Sequence, residues 1–482
     1  VNGGAVREHC GLCGVVGDPE AAALVAEGLS AQQHRGQEAA GILAATDGDF
    51  LLHKGMGLVS EVFPSLPSSW RQETVVAAMG HVRYGTFGSG GVLNAQPLLV
   101  RMAGMQVGIA HNGTIGNASV LRRDLERRGT IFQTNSDTEV VLHLMAHELE
   151  NTGYEIMHAL ELALGRLEGA YCFLLMIPGA MVAVRDPHGF RPLSLGRIGQ
   201  DSWAVASESI AFPLCCAEYV REIEAGEILL MPFDGSQPRS TLYDGKANLF
   251  GGNGRLAQCI FEHVYFARPG SQVFGDSVYE VRLRMGARLA VESPVECDVV
   301  IPVPDSGMFA ALGYSGQLGI RFDMGFTRNH YVGRTFIDPA TARRAAMVTR
   351  KLQPIPEAVR GKRVCVVEDS IVRGTTSKAR IRALREAGAI EVHMRVSCPP
   401  HRFGCYFGID FPEPSTLIAN IRTHAEIEQM LEVDSLAYLS RDGMLSCVRA
   451  HGPQDYCTAC FNGDYPVRPP ELGIPRPGGS CS

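Results

Sequence analysis

The stretch Val366-Val-Glu-Asp-Ser-Ile-Val-Arg-Gly-Thr-Thr-Ser377 decides how the second half of this chain folds. An apolar run delivers two acids, Glu368 and Asp369, into a loop holding Ser370, Arg373, Gly374, Thr375, Thr376 and Ser377. A helical pattern over residues 377–387 follows. N–H groups and hydroxyls gathered at the start of a helix suit a phosphate monoester. The acids suit ribose hydroxyls or a magnesium ion. Outward from this stretch, two more β-branched runs occupy residues 298–304 and 390–397, and helical stretches separate the three. Strand, loop, helix, strand is the grammar of an open parallel sheet, whose ligands bind beyond the C-terminal ends of the strands.

The rest of the chain sets the frame. Its 482 residues suggest two or three domains, and a composition of 45% hydrophobic and 20% charged residues is that of a globular protein with sizeable cores. A net charge of -7 speaks against a general nucleic-acid binder. No run of 18 apolar residues offers a membrane span, and residues 1–9 lack the apolar stretch of a signal peptide, so a cytoplasmic location is expected. In a reducing compartment, the 14 cysteines read as ligands, nucleophiles or small buried hydrophobes before disulfides.

Residues 10–235 have a different texture from the second half. Strands are expected over 75–79, 106–110, 172–177 and 181–184, and helices over 20–31 and 137–150, a mixture that reads as a two-sheet αβ sandwich. A turn-rich connection at 236–254 leads to a second domain at 255–465 and a Pro/Gly-rich loose tail at 466–482. Five polar clusters interrupt the first domain: Cys10-Gly-Leu-Cys-Gly14, Gln33-His-Arg-Gly-Gln37, His81-Val-Arg-Tyr-Gly-Thr86, His111-Asn-Gly-Thr114 and Thr134-Asn-Ser-Asp-Thr138. These residue types suit amide hydrolysis. A thiolate attacks a carbonyl, donors meet the oxyanion, an arginine fork takes a carboxylate and an acid takes an ammonium group.

The set resembles the glutaminase domain of the N-terminal-nucleophile amidotransferases, and the 366–377 string resembles the signature of type I phosphoribosyltransferases. Together they resemble the glutamine phosphoribosylpyrophosphate amidotransferase family over nearly the whole chain. The resemblance implies an αββα sandwich followed by a parallel-sheet domain. It implies Cys10 as nucleophile with its own α-amine as base, Arg83 and Asp137 as holders of glutamine, and Asn112 with the Gly113 N–H as the oxyanion hole. Cys13 also fits Cys-Gly-x-x-Gly, but the family's interval to the Gln-His-Arg-Gly cluster matches Cys10, at 35 − 10 = 25 residues from Arg35. An α-amine serves as base only when nothing precedes it, so Val1–His9 reads as a leader to be removed. A sugar-phosphate amidotransferase would lack the 366–377 string, and a mere sensor of phosphoribosyl pyrophosphate would not keep the five clusters intact.

The same resemblance places phosphoribosyl pyrophosphate on Glu368, Asp369, Ser370, Arg373, Gly374, Thr375, Thr376 and Ser377. Arg334, in a stretch that resembles the family's mobile loop, would assist pyrophosphate departure, and Arg328 is a further candidate. Magnesium would sit by Ser306, Glu368 and Asp369. Glu368 stands where such amidotransferases carry aspartate. Near the C-terminus, Tyr456-Cys-Thr-Ala-Cys-Phe461 holds a Cys-x-x-Cys pair. It resembles the iron–sulfur branch of the family, in which Cys259, Cys405, Cys457 and Cys460 would be the ligands. Four thiolates suit either a [4Fe–4S] cluster or tetrahedral zinc, and the resemblance favours the cluster. Feedback by purine nucleotides and a homotetramer are further implications of the family.

Overall fold

Strands, the central ones buried on both faces, build the first domain. In chain order they are β1 (Gly11–Val16), β2 (Ala39–Thr46), β3 (Phe50–Met56), β4 (Val75–Arg83), β5 (Leu98–Met102), β6 (Met105–Ile115) and β7 (Gly169–Ile177). There follow β8 (Ala180–Arg185), β9 (Ser194–Ile198), β10 (Ser202–Ala206), β11 (Glu218–Glu222), β12 (Glu227–Pro232) and β13 (Arg239–Leu242). One sheet runs β11-β9-β10-β1-β4-β2-β3 and the other β13-β12-β8-β7-β6-β5. In this computed structural model, residues 10–46, 48–68, 70, 74–84, 91–243, 255–329, 352–409, 411 and 413–467 are described. The expected leader at 1–9, Arg334, the connection from 244 to 254 and the tail from 468 onward lie outside them.

Successive strand side chains point to opposite faces, and the two faces bury different layers. Leu12, Val16, Leu43 and Met79 of the first sheet interleave with Leu174, Met176, Met181 and Leu229 of the second. On the outer face of the first sheet, Cys13, Val15 and Ala78 meet Val25 and Leu29 of α1 (Ala21–Ala31). On the outer face of the second sheet, Val107, Ile109, Phe173 and Leu175 meet residues of α2 (Ala118–Arg127), α3 (Thr138–Asn151) and α4 (Ile156–Leu164). The layers are therefore helix, sheet, sheet, helix, the sandwich expected. The domain runs past the boundary expected at 235, because β13 pairs with β12 from Glu227↔Leu242 to Leu230↔Arg239. Its four exposed residues carry no apolar alternation by which the sequence would betray it.

The second domain is a parallel sheet of β15 (Val299–Pro302), β16 (Arg363–Glu368), β17 (Glu391–Val396) and β18 (Ser435–Tyr438), preceded by a two-residue β14 (Gln258–Cys259). Three helices cover it: α5 (Val278–Glu292), α6 (Met308–Leu318) and α7 (Thr375–Glu386). Val300, Val366, Val392 and Met394 of the strands pack with Tyr314, Ile381 and Leu384 of the helices in one core. All strands run the same way, so their C-terminal ends, with Ser306 and Glu368–Asp369 just beyond, share one edge of the sheet. A final pair, β19 (Tyr456–Cys457) parallel to β14, returns the C-terminal segment to the start of this domain.

Candidate active site

Register places the first site. β1 runs antiparallel to β4 with Gly11 opposite Val82, so Cys10, one step earlier, stands beside Arg83 and Tyr84. Burial pushes the Cys10 thiol up, and the backbone N–H of Tyr84 and the charge of Arg83 oppose that, while Asp137 reinforces it. Nucleophile, cation and acid are thus within electrostatic reach of one another. Among the described residues, Arg83 Nη1 is buried without a hydrogen-bond partner. A guanidinium donor left so costs free energy unless an anion completes it, which is what a substrate carboxylate would do.

Asp137 precedes α3, at a helix N-terminus that favours negative charge. Its Oδ2 accepts the Ile115 N–H at 3.0 Å, and its Oδ1 lies 3.5 Å from His111 Nδ1. Burial works against the charge, yet His111 and the N–H groups of Ile115 and Thr138 outweigh it and hold the carboxyl below its ordinary range. The acid is therefore kept as an anion, ready for an ammonium group.

Asn112 and Gly113 lie on β6, Asn112 fully buried. Gly113 has φ +144°, and a Cβ there would come 2.1 Å from the carbonyl oxygen of Ala170, so only glycine fits. Asn112 Nδ2 donates to Ser207 Oγ over 3.4 Å, and its Oδ1 has no partner among the described residues. The long, half-satisfied geometry leaves the amide able to serve another acceptor. Ser207 Oγ also accepts the Leu12 N–H at 3.0 Å, tying the strand behind the nucleophile to Asn112. The five clusters gave no sign of Ser207.

The second site forms at the end of β16. Ser306, 63 residues earlier in sequence, donates its hydroxyl to Asp369 Oδ1, and Ser370 Oγ donates to Oδ2 at 2.6 Å. Glu368 turns the other way, accepting from Ser377 Oγ at 2.9 Å and pairing with Arg380. Burial raises both acids. The Asp369 charge adds to the shift of Glu368, which Arg380 opposes, and Ser306 and Ser370 oppose that of Asp369. Gly374, with φ +74°, turns the chain into α7, whose first residues are Thr375, Thr376 and Ser377. Arg328 forms a surface ion pair with Asp305, next to Ser306. Arg380 was missed by motif reading, although it lies three residues after Ser377 on the same helix face, a spacing that could have revealed it.

Two of the four expected thiols are brought together by β14 and β19, where Cys259 is the register partner of Cys457, and Cys460 follows in the short helix Ala459–Asn462. Burial raises the Cys460 thiol, and the neighbouring Cys259, Cys457 and Cys405 reinforce the shift. Burial likewise pushes Cys259 up to about 12, partly offset by Arg191, which also faces Cys405. Phe190, Ala257 and Phe407 form an apolar wall beside them. Among the described residues, no three His, Cys, Asp or Glu side chains converge as a single-ion site, whether at the thiols or at the acids.

Comparisons with known proteins agree with this layout. The family model described as a glutamine amidotransferase domain matches residues 91–213. The chain is 47% identical over 477 residues to amidophosphoribosyltransferase 1, chloroplastic, of Arabidopsis thaliana, covering 98% of this chain and 81% of that protein. It is 44% identical over 468 residues to amidophosphoribosyltransferase of Bacillus subtilis, covering 96% and 95%. Among solved structures, the B. subtilis glutamine phosphoribosylpyrophosphate amidotransferase complexed with ADP and GMP superimposes with TM-score 0.87 at 41% identity, covering 96% of this chain and 99% of that one. A structure described as the allosteric regulatory enzyme of purine biosynthesis gives TM-score 0.88 at 41% identity, covering 96% and 98%.

Proposed function

The chain belongs to the amidophosphoribosyltransferase family, whose reaction is the first step of purine biosynthesis, and from that premise we propose how its residues divide the work. As a glutamine-dependent pentosyl transferase, it converts glutamine, water and phosphoribosyl pyrophosphate to 5-phosphoribosylamine, glutamate and pyrophosphate. The observation that carries the division is the meeting of Cys10, Arg83 and Asp137 at the head of β1 in the first domain, while Asp369 and Ser306 meet in the second.

At the first site, Arg83 takes the glutamine carboxylate through its partnerless Nη1 and Asp137 takes the ammonium group. The Cys10 sulfur attacks the side-chain amide, and its proton passes to the Cys10 α-amine, which is free once residues 1–9 are removed. The Gly113 N–H and the Asn112 amide meet the developing oxyanion. Collapse expels ammonia and leaves a thioester, which water hydrolyses to glutamate.

At the second site, ammonia attacks C1 of the sugar as pyrophosphate leaves. It travels internally, because ammonia in neutral water is mostly protonated and not nucleophilic. The N–H groups and hydroxyls of 370–377 hold the 5-phosphate, and Asp369 holds ribose hydroxyls. Glu368 keeps the loop in place through Ser377 and Arg380 and serves the ribose from its remaining lone pairs. Arg334 and Arg328 draw off the pyrophosphate charge. Hard oxygen donors at Ser306 and Asp369 suit magnesium, which takes one or two carboxylates plus substrate phosphates and would neutralise the departing pyrophosphate, and Glu368 would join them only on leaving Arg380.

Cys259, Cys405, Cys457 and Cys460 fit a [4Fe–4S] cluster, which would clip the C-terminal segment to the second domain. Zinc would draw four sulfurs to about 2.3 Å of one centre, whereas a four-iron core holds them apart at its corners. The mutual electrostatic reach of the four thiols supports a shared group of this kind. Arg191 supplies positive charge against an anionic cluster. Feedback by purine nucleotides is proposed from the ADP- and GMP-bound neighbour, with a homotetrameric assembly. No described helix is long and apolar enough to cross a membrane, and a cytoplasmic setting is proposed although plant relatives are named chloroplastic. The test is glutamine-dependent release of pyrophosphate from phosphoribosyl pyrophosphate by protein of known N-terminus and iron content. Absence of release by iron-loaded protein beginning at Cys10 would overturn the assignment.

A further inference from the structure

Four buried charges lie between the two domains. Glu262, on the turn Glu262–Phe266 of the second domain, is fully buried. Arg35 of the first domain reaches it with Nη2 at 2.5 Å from Oε2, and Arg191 with Nη1 at 2.9 Å from Oε1. Arg35 also pairs through Nε with Glu208, which accepts the Arg268 N–H at 2.8 Å and the Ser271 hydroxyl at 2.7 Å from the second domain. Burial disfavours the Glu262 charge, and Arg35 and Arg191 outweigh it, holding the carboxyl below its ordinary range. Buried ion pairs give little net stability compared with apolar packing, but losing one member strands the others, so they fix one arrangement sharply.

What they fix is next to the first site. The loop of Arg35 continues into Gly36, which is in direct contact with Arg83: a Cβ on Gly36 would stand 2.6 Å from the Arg83 backbone nitrogen. On the other arm, Arg191 Nε donates to the carbonyl of Phe407 at 3.2 Å. The next residue, Gly408, abuts the glycine of the oxyanion strand. A Cβ on Gly408 would lie 3.2 Å from Gly113 Cα and 3.0 Å from Arg191 Nη2, and its φ is +105°. One carboxylate of the second domain is therefore connected by two short arms to the glutamine clamp and to the oxyanion donor.

We infer that Glu262 is a positioning residue for glutamine hydrolysis, holding Arg83 through Arg35 and Gly36, and Gly113 through Arg191 and Gly408. The inference rests on the roles given above to Arg83 and Gly113. The second domain thus completes the glutaminase site without contributing a group to its chemistry, and Gly408 forms the back wall of the oxyanion hole.

The test uses iron-loaded protein beginning at Cys10 and compares glutamine with ammonia as nitrogen donor. Glu262→Gln keeps the shape but removes the charge and replaces one of the two acceptor oxygens, those facing Arg35 and Arg191, by a donor. It should lower kcat/KM for glutamine at least about 30-fold and leave ammonia-dependent synthesis within about threefold. The two arms should then separate. Arg35→Lys loses the fork and should chiefly raise KM for glutamine, whereas Gly408→Ala presses on Gly113 and should lower kcat about tenfold with KM little changed. Gly408→Ala leaves every charge in place and reports even if Glu262→Gln folds poorly. Equal loss with both donors, or no loss with either, would overturn the inference. A diazoketone analogue of glutamine separates this failure from that of the underlying assignment. If it fails to alkylate Cys10 in the parent protein, the glutaminase roles fall and the inference with them. If it labels the parent while the variants show no KM-against-kcat split, the inference alone falls.

Discussion

The sulfur of Cys13 lies 3.7 Å from the sulfur of Cys215, beneath α1 and on the opposite face of β1 from the layer where Asn112 is buried. Strand alternation therefore separates the two candidate nucleophiles: Cys13 shares its face with Val15, while Cys10 shares its parity with Leu12 and Gly14. Cys13→Ala should keep glutamine-dependent activity within a few-fold and cost about 1 kcal/mol of stability, the scale of one small buried group. Thermal melting with steady-state rates checks this, and total loss of activity would reverse the choice of nucleophile.

Cys10→Ala should reduce glutamine-dependent synthesis to background and preserve synthesis from ammonia. Intact-mass analysis of the active enzyme should find Cys10 at its N-terminus. Full glutaminase activity in protein still carrying Val1–His9 would exclude the α-amine as base.

Arg83→Lys should raise KM for glutamine about 10- to 100-fold, the worth of a charged hydrogen bond in a fork that lysine cannot present. Ammonia-dependent synthesis should be spared. Equal damage by both donors would make Arg83 a structural residue.

Asp369→Asn should lower synthesis about 100-fold or more with either nitrogen donor, because the acid serves the sugar substrate. Binding of phosphoribosyl pyrophosphate by calorimetry, with and without magnesium, would separate loss of affinity from loss of turnover. An unchanged affinity and an unchanged rate would remove Asp369 from the site.

Purified protein should be brown with about four irons per chain, and oxygen should bleach and destabilise it. Cys457→Ser should lower the iron content and the melting temperature together. A colourless, stable protein holding one zinc would replace the cluster by a zinc site on the same four cysteines.

The parts of both sites that lie within one short segment were legible in the sequence. The 366–377 string carries its own strand, loop and helix, and its helix begins at Thr375, two residues before the start read from periodicity. The apolar runs at 75–79 and 106–110 proved to be the cores of longer strands, Val75–Arg83 and Met105–Ile115, because their polar ends carry Arg83 and Asn112 into the site and so hide the alternation. Ser207, Glu208, Arg191 and Glu262 were not legible. Each acts through partners far along the chain, Arg35 and Glu262 being 227 residues apart, and an isolated acid or hydroxyl without a local motif resembles any surface residue until the fold buries it.

The position of β1 between β4 and β10 has a consequence for the newborn chain. The strand behind the nucleophile is made before both its neighbours, β4 at Val75–Arg83 and β10 at Ser202–Ala206. β4 can pair with it early, but its other edge stays open until β10 has been made, and pairings so distant form slowly. If the residues before Cys10 are removed only from a seated site, that removal is expected to follow the docking of β10 against β1. Trimming before that point would expose the Cys10 thiol while one edge of its strand is still unpaired.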